Sequence, residues 1–294
     1  MSLNLMLRQY SGRQKQGMAP RYHFSLYLPD VRDSYFNALI AGAERAAQDY
    51  DAALSIHSIS PAKNEFEMAS YTGVSGVIVC PYLDDDAARK GLERLTARRI
   101  PLVLINHNVP HGQPWPYIGA NNFETGKKIG ELARGGGNAN LRLAIVYSDK
   151  SPGIYAEREL VEMGVTAAAG NRLSAPILGL KTGQSPLDAE SLVLDLFHSR
   201  PDVNTLVFTD ANDSLAAAQT LIDMNLVGRV RVIGFGNDKP LLEYVKKGVM
   251  AGSVVVYPER IGSEAVRSLW NLCESGYTST NVDTGVETIQ GSAK

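Results

Sequence analysis

Short runs rich in Val, Ile and Leu alternate along the chain with stretches whose apolar residues recur at helical spacing. Tyr22 to Pro29 reads as the first strand. The stretch from Ser34 to Asp49 comes next, with Phe36, Leu39, Ile40, Ala43 and Ala47 on one helical face. Ser34 is placed to cap that helix, since its hydroxyl can accept from an orphan amide of the first turn. Further strands are expected at Leu54 to Ile59, Gly76 to Pro81 and Pro101 to Asn106. A helix is expected from Asp84 to Arg98, where Asp84, Asp85 and Asp86 suit the positive end of its dipole. Between residues 61 and 75 the connecting helix reads as short.

The alternation restarts after Gly135-Gly136-Gly137, a flexible connection with no Lys-Ser or Lys-Thr behind it to make a phosphate-cradling loop. Leu141 to Tyr147, Ile177 to Leu180, Thr205 to Phe208 and Val230 to Phe235 read as strands. Helical stretches lie between them at about 154–169, 186–199 and 212–225. Strands that are apolar throughout, separated by helices, form a parallel sheet covered on both faces. Two runs of the pattern predict an α/β chain with two doubly wound parallel-sheet lobes.

Length agrees with that reading, because 294 residues suit two lobes of roughly 100–150 each. Lys plus Arg is 29 against 31 for Asp plus Glu, a net charge of −2, so no global electrostatic draw toward nucleic acid exists. No apolar run approaches the roughly 20 residues of a membrane span, and no signal-peptide core is present. Cys80 and Cys273 are too few for a disulfide framework or a cysteine-rich zinc site, and both lie in apolar segments as expected of buried thiols. Residues 1–21 form a basic arm in which Arg8, Arg13, Lys15 and Arg21 face no acid. It reads either as a solvated tail or as a linker to a membrane anchor or DNA-binding module.

Catalytic patterns are missing. There is no Gly-x-Ser-x-Gly elbow, no His-Glu-x-x-His and no Gly-x-Gly-x-x-Gly opening a helix after a strand. His107 and His111 are four apart, a metal spacing only on a helix, and Pro110, Pro114 and Pro116 make this a loop. The remaining histidines, His23, His57 and His198, are scattered. No catalytic residue, metal ligand or cofactor is predicted, and the chain leans toward binding without turnover.

Asp33-Ser34-Tyr35-Phe36, with the small-residue helix Gly42-Ala43-Glu44-Arg45-Ala46-Ala47 behind it, resembles the type I periplasmic sugar-binding proteins. The similarity continues through Gly76 to Val79, Pro101 to Ile105 and Tyr117-Ile118-Gly119-Ala120-Asn121-Asn122. It resumes at Asn212-Asp213 and Val232 to Phe235, and closes with Lys247 to Val254 and Pro258 to Gly262. It spans about residues 22–290. The resemblance implies residues 22–121 plus 257–281 as lobe 1 and residues 122–256 plus 282–294 as lobe 2. Three crossing segments near residues 121, 256 and 282 would form the hinge.

The resemblance also implies a function. A cleft between the lobes would close on a small sugar-like solute, which would then pass to an ABC-type transporter permease or engage a membrane sensor, outside the cytoplasm. Effector domains of lactose-repressor-type regulators share the fold and are the alternative, with a cytoplasmic location; they usually read Phe-Asp-Asp where this chain has Phe235-Gly236-Asn237-Asp238.

The same resemblance points to ligand-binding residues. Tyr35 and Phe36 match the stacking pair of lobe 1, and Asp33 the polar residue beside it. Asn106 and His107 stand where sugar binders present Asp-Arg, Cys80 where Asn is common, and Val256 where a polar side chain is common. These departures imply a less polar site, either for a ligand with fewer hydroxyls than an ordinary pentose or hexose or for a remodelled set of contacts. From lobe 2, Arg158 resembles an arginine that reaches into the cleft. Asn212, or Asp210 in its place, matches an Asn at a strand-to-helix turn, and Asn237 is the nearest polar candidate to a familiar Asp.

Overall fold

The apolar runs pair into two six-stranded sheets. The structure, a computed structural model, describes residues 19–30, 33–59, 65–81, 85–109, 114–135, 140–149, 157–183, 185 and 187–291. Most of the N-terminal arm and His111 therefore lie outside the described residues. The first sheet contains β1 (Tyr22–Pro29), β2 (Ala52–Ile59), β3 (Gly76–Val79), β4 (Leu102–Ile105) and β5 (Tyr117–Gly119). A late strand, β11 (Asn281–Asp283), completes it in the order β11-β5-β4-β3-β1-β2, every pair parallel.

The second sheet repeats that order. It holds β6 (Leu143–Ser148), β7 (Leu178–Thr182), β8 (Thr205–Phe208), β9 (Arg231–Phe235), β10 (Gly252–Val256) and β12 (Val286–Gln290), arranged β12-β10-β9-β8-β6-β7. Only the β10–β12 pair among them runs antiparallel. Successive side chains of a strand face opposite sides, so each sheet carries two cores. Phe24, Leu26 and Leu28 of β1 enter one core of the first sheet and Tyr27 the other. Ala144 and Val146 of β6 are likewise divided from Leu143, Ile145 and Tyr147.

Helices cover all four faces. On the first sheet α1 (Ser34–Asp49) lies against the core of Phe24, and α2 (Asp85–Ala97) covers the opposite face. On the second, α3 (Asn122–Arg134) and α4 (Arg158–Ala169) share one face. The other face carries α5 (Asp188–Ser199), α6 (Ala211–Asp223) and α7 (Lys239–Lys246). Finally α8 (Pro258–Ser275) returns to the first sheet beside α1.

Each lobe holds one helix pair at backbone contact through glycines. A Cβ on Gly42 of α1 would stand 2.0 Å from the Glu259 carbonyl oxygen, and one on Gly262 of α8 would stand 2.1 Å from that of Leu39. In the second lobe the same relation joins Gly126 of α3 to Val161 O at 2.0 Å and Gly164 of α4 to Phe123 O at 2.1 Å. These glycines serve close approach rather than unusual dihedrals.

The chain passes between the sheets at Ala120–Asn121, at Tyr257 and at Thr284–Gly285. The third passage comes later than the sequence expectation near 282, because β11 pairs with β5 and keeps Val282 and Asp283 in the first sheet. Gly285, at φ +85°, then turns the chain into β12. Asp283 ties the passages together: its Oδ1 accepts from Asn121 N at 3.2 Å and from Gly285 N at 2.9 Å. Two local expectations also change. Asp33, not Ser34, caps α1, accepting from Phe36 N at 2.8 Å. Within 61–75 the described residues form a 3-10 helix, Glu65–Tyr71, rather than a short α-helix.

Candidate functional site

A parallel sheet sends the C-terminal ends of its strands, and the N-termini of the helices after them, to one edge. Here those edges of the two sheets enclose a cavity of about 170 Å³. The first lobe lines it with Asp33, Ser34, Tyr35 and Phe36 after β1, Asn106 after β4, Tyr117 of β5 and Pro258 at the start of α8. The second lobe contributes Asn122 and Thr125 of α3, Asp210, Ala211 and Asn212 after β8, and Phe235 to Asp238 at the end of β9. Val256 of β10 completes the second-lobe wall.

The first-lobe wall is held by its own hydrogen bonds. Tyr35 Oη donates to Asn106 Oδ1 at 2.7 Å, and Asn106 Nδ2 points at Cys80 Sγ, 3.9 Å away. Asn106 adopts φ +63°, a left-handed conformation that asparagine tolerates better than most residues. Its carbonyl receives the Tyr117 hydroxyl at 3.4 Å. The rings of Tyr35 and Phe36 meet edge to face at 5.2 Å. Burial pushes the phenols of Tyr35 and Tyr117 well above their ordinary value and the Cys80 thiol up to about 12, so all three are neutral at physiological pH.

The second-lobe wall is built on helix starts. Asp210 caps α6 by accepting from Asp213 N at 3.0 Å, and Asp213 in turn accepts from Thr182 Oγ1 at 2.5 Å. Asn212 therefore sits inside the first turn, exposed, rather than at the cap. Asn122 Nδ2 donates to Glu157 Oε2 at 2.8 Å, leaving its amide oxygen toward other partners. Across the cleft, Ser34 Oγ donates to Asp238 Oδ2 at 2.9 Å.

Seven of the nine residues expected from sequence thus line one cavity: Asp33, Tyr35, Phe36, Asn106, Asp210, Asn212 and Asn237. His107 and Arg158 are not among its lining residues. The left-handed turn at Asn106 sends the next side chain away from the cleft, where His107 is buried with Nε2 2.8 Å from Asp85 Oδ1 at the start of α2. Arg158 opens α4 and is exposed there, where its charge acts on the Tyr147 phenol. Sequence reasoning missed Ser34, Tyr117, Asn122, Thr125, Phe235 and Asp238 as lining residues. Most of them flank a strand end or helix start, the one signal that could have found them. Among the described residues no group of three or more His, Cys, Asp or Glu gathers to hold a metal ion, and no helix is long and apolar enough to cross a membrane.

The sequence profile of the periplasmic binding protein domain family matches residues 24–277. The ribose import binding protein RbsB of Salmonella typhimurium is 21% identical over 252 residues, covering 82% of this chain and 81% of the relative. Among solved structures, the Caulobacter myo-inositol binding protein bound to myo-inositol superimposes with a TM-score of 0.81 at 19% identity, covering 93% of this chain and 96% of its own. A glucose-galactose binding protein from Geobacillus stearothermophilus gives a TM-score of 0.78 at 20% identity, over 92% and 97% of the two chains. At such identities the solved structures establish a shared fold.

Proposed function

Because the chain belongs to the periplasmic binding protein domain family, we propose that it binds a small, uncharged, polyhydroxylated solute, a sugar or related polyol, between its lobes. The observation that carries this reading is the cavity itself, to which both sheets contribute aromatic rings and amide side chains at their strand ends. Rings accept the C–H face of a sugar, and amides supply both donors and acceptors for its hydroxyls. The ligands named for the relatives, ribose, glucose and galactose, and myo-inositol, belong to that chemical class.

Charge supports an uncharged ligand. The described lining residues include the carboxylates of Asp33, Asp210 and Asp238 and no Lys, Arg or His. The helices α1, α3, α6, α7 and α8 begin beside the cavity at Asp33, Asn121, Asp210, Asp238 and Tyr257. Each helix N-terminus carries about +0.5 charge, so five of them roughly balance three carboxylates. Among the described lining residues, an anionic solute such as a sugar phosphate finds no cationic side chain to offset its desolvation.

The mechanism is binding without turnover. Contacts from both lobes favour the closed arrangement, and the difference in affinity between closed and open forms is what moves the population. The three passages at Ala120–Asn121, Tyr257 and Thr284–Gly285 serve as the hinge. The closed form is then read outside the cytoplasm by an ABC-type transporter permease or a membrane sensor. A thermal-shift screen of neutral sugars and polyols against sugar phosphates and sugar acids tests the reading. A true ligand at 100 times its Kd stabilises by about 2.7 kcal/mol. Stabilisation only by the anionic set contradicts it.

A further inference from the structure

Asn106 carries more of the first-lobe wall than its size suggests. Its Oδ1 accepts from the Tyr35 hydroxyl at 2.7 Å, and its main-chain carbonyl accepts from the Tyr117 hydroxyl at 3.4 Å. Two of the aromatic side chains that line the cavity are therefore oriented by one residue. That residue sits in an unfavourable backbone conformation. His107 N donates to Ile105 O at 2.7 Å, closing a three-residue turn around Asn106 at φ +63°. This is the positive-φ form of the γ-turn, which is rare and strained. Such a conformation persists only where its surroundings hold it.

The two sides of the turn are held differently. Before it, the strand ladder fixes the backbone, with Asn106 N donating to Ile118 O at 3.2 Å. Beyond it the chain leaves β4, and the next side chain is the anchor, followed into the core by Val109. His107 is buried, and its Nε2 stands 2.8 Å from Oδ1 of Asp85, the first residue of α2. A carboxylate only accepts, so Nε2–H is the donor. Neither His107 nor Asp85 is among the residues that line the cavity.

We infer that His107 and Asp85 are positioning residues for the cleft: their bond fixes the left-handed turn at Asn106 and, through it, the Tyr35 and Tyr117 rings. The inference rests on the reading of the cavity as the ligand site and adds to it two residues that act from outside the cavity. Without the tie the turn relaxes toward negative φ, which swings the Asn106 side chain off the Tyr35 hydroxyl. Only the molecules that keep the original turn are then ready to bind, and the apparent affinity falls by their fraction.

The experiment pairs ligand-free crystal structures with isothermal titration, using the intact chain, Asp85→Ala and Asp85→Asn, and D-ribose, D-glucose, D-galactose and myo-inositol as probes. The Asp85 side chain is 44% exposed, so its loss cuts the tie without hollowing the core. In Asp85→Ala, Asn106 is expected to leave the left-handed region and to release the Tyr35 hydroxyl. For each probe that the parent chain binds, the apparent Kd of this variant is expected to rise at least about fivefold. Asp85→Asn keeps an acceptor for Nε2–H, so it is expected to retain the parent's turn and to bind within about twofold of it. An Asn106 that keeps its φ and its bond to Tyr35 in Asp85→Ala overturns the inference, as does an unchanged Kd. Asp85→Asn as weak as Asp85→Ala overturns it too, because the charge and not the bond is then responsible. If the parent binds none of the probes, the polyol reading fails, and the turn seen in crystals of Asp85→Ala still decides whether the tie holds Asn106.

Discussion

Ser34 and Asp238 join the two lobes across the mouth of the cleft: the serine hydroxyl in the first turn of α1 donates to the carboxylate at the start of α7 at 2.9 Å. The two residues are 204 positions apart in sequence and belong to elements packed on different sheets. A bond of this kind exists only while the lobes are together, so under the proposed closure it adds to the closed state alone.

Ser34→Ala is therefore expected to raise the apparent Kd by roughly threefold to fivefold, the effect of losing about 1 kcal/mol from the closed form. The melting temperature of the ligand-free chain changes little. In an Asp238→Ala background the same serine substitution should add almost nothing. Titration of the four members of this cycle checks the coupling, and additive effects would show that the bond has no part in closure.

Tyr35→Ala removes both the ring and the hydroxyl from the first-lobe wall. Loss of ring burial and edge-to-face contact together costs about 2 kcal/mol, or about thirtyfold in affinity. Circular dichroism of the variant should be unchanged, since Tyr35 is only partly buried. Unaltered affinity would place the ligand elsewhere.

The glycine contacts predict a matched pair of destabilised variants. In both Gly42→Ala and Gly126→Ala the new methyl meets a carbonyl oxygen of the neighbouring helix, at 2.0 Å in each undisturbed helix pair. Helices pushed apart lose packing, and each variant should lose about 1–3 kcal/mol of stability in denaturant unfolding. A variant as stable as the parent would mean that the helices are farther apart than described.

Cys80 makes a prediction about alkaline pH. Its thiol is fully buried, and burial raises its pKa from 9.0 to about 12. The unfolded chain gives up this proton first, so the thiol's contribution to stability is complete below pH 9 and declines as pH rises toward 12. Cys80→Ala should flatten that part of the stability profile. In the native protein at pH 8, alkylating reagents should leave Cys80 unmodified until the chain unfolds. Rapid modification under native conditions would contradict its placement beneath Asn106.

Much of the fold is legible in the sequence because parallel strands buried on both faces announce themselves as unbroken apolar runs. The strands at Tyr22, Gly76, Thr205 and Val230 are visible for that reason, and the covering helices for their spacing. Site residues are legible only as far as local chemistry decides their direction. Tyr35 and Asn212 lie in the first turns of helices that follow strand ends, whereas His107 turns away because Asn106 takes a left-handed conformation that no composition rule foretells. Ser34 and Asp33 are both good caps, and only the backbone settles between them. Tyr117 and Asp238 escape a sequence reading as lining residues because their place depends on sheet order and on the approach of the opposite lobe, which are properties of the whole chain.

On the proposed reading a solute is held between two lobes and their closure is the output. Small-angle X-ray scattering of the chain with and without a saturating sugar or polyol ligand tests it most directly. Closure predicts a smaller radius of gyration in the bound form, and a weaker contraction at equal ligand concentration in Ser34→Ala. Superimposable profiles at full saturation would contradict it.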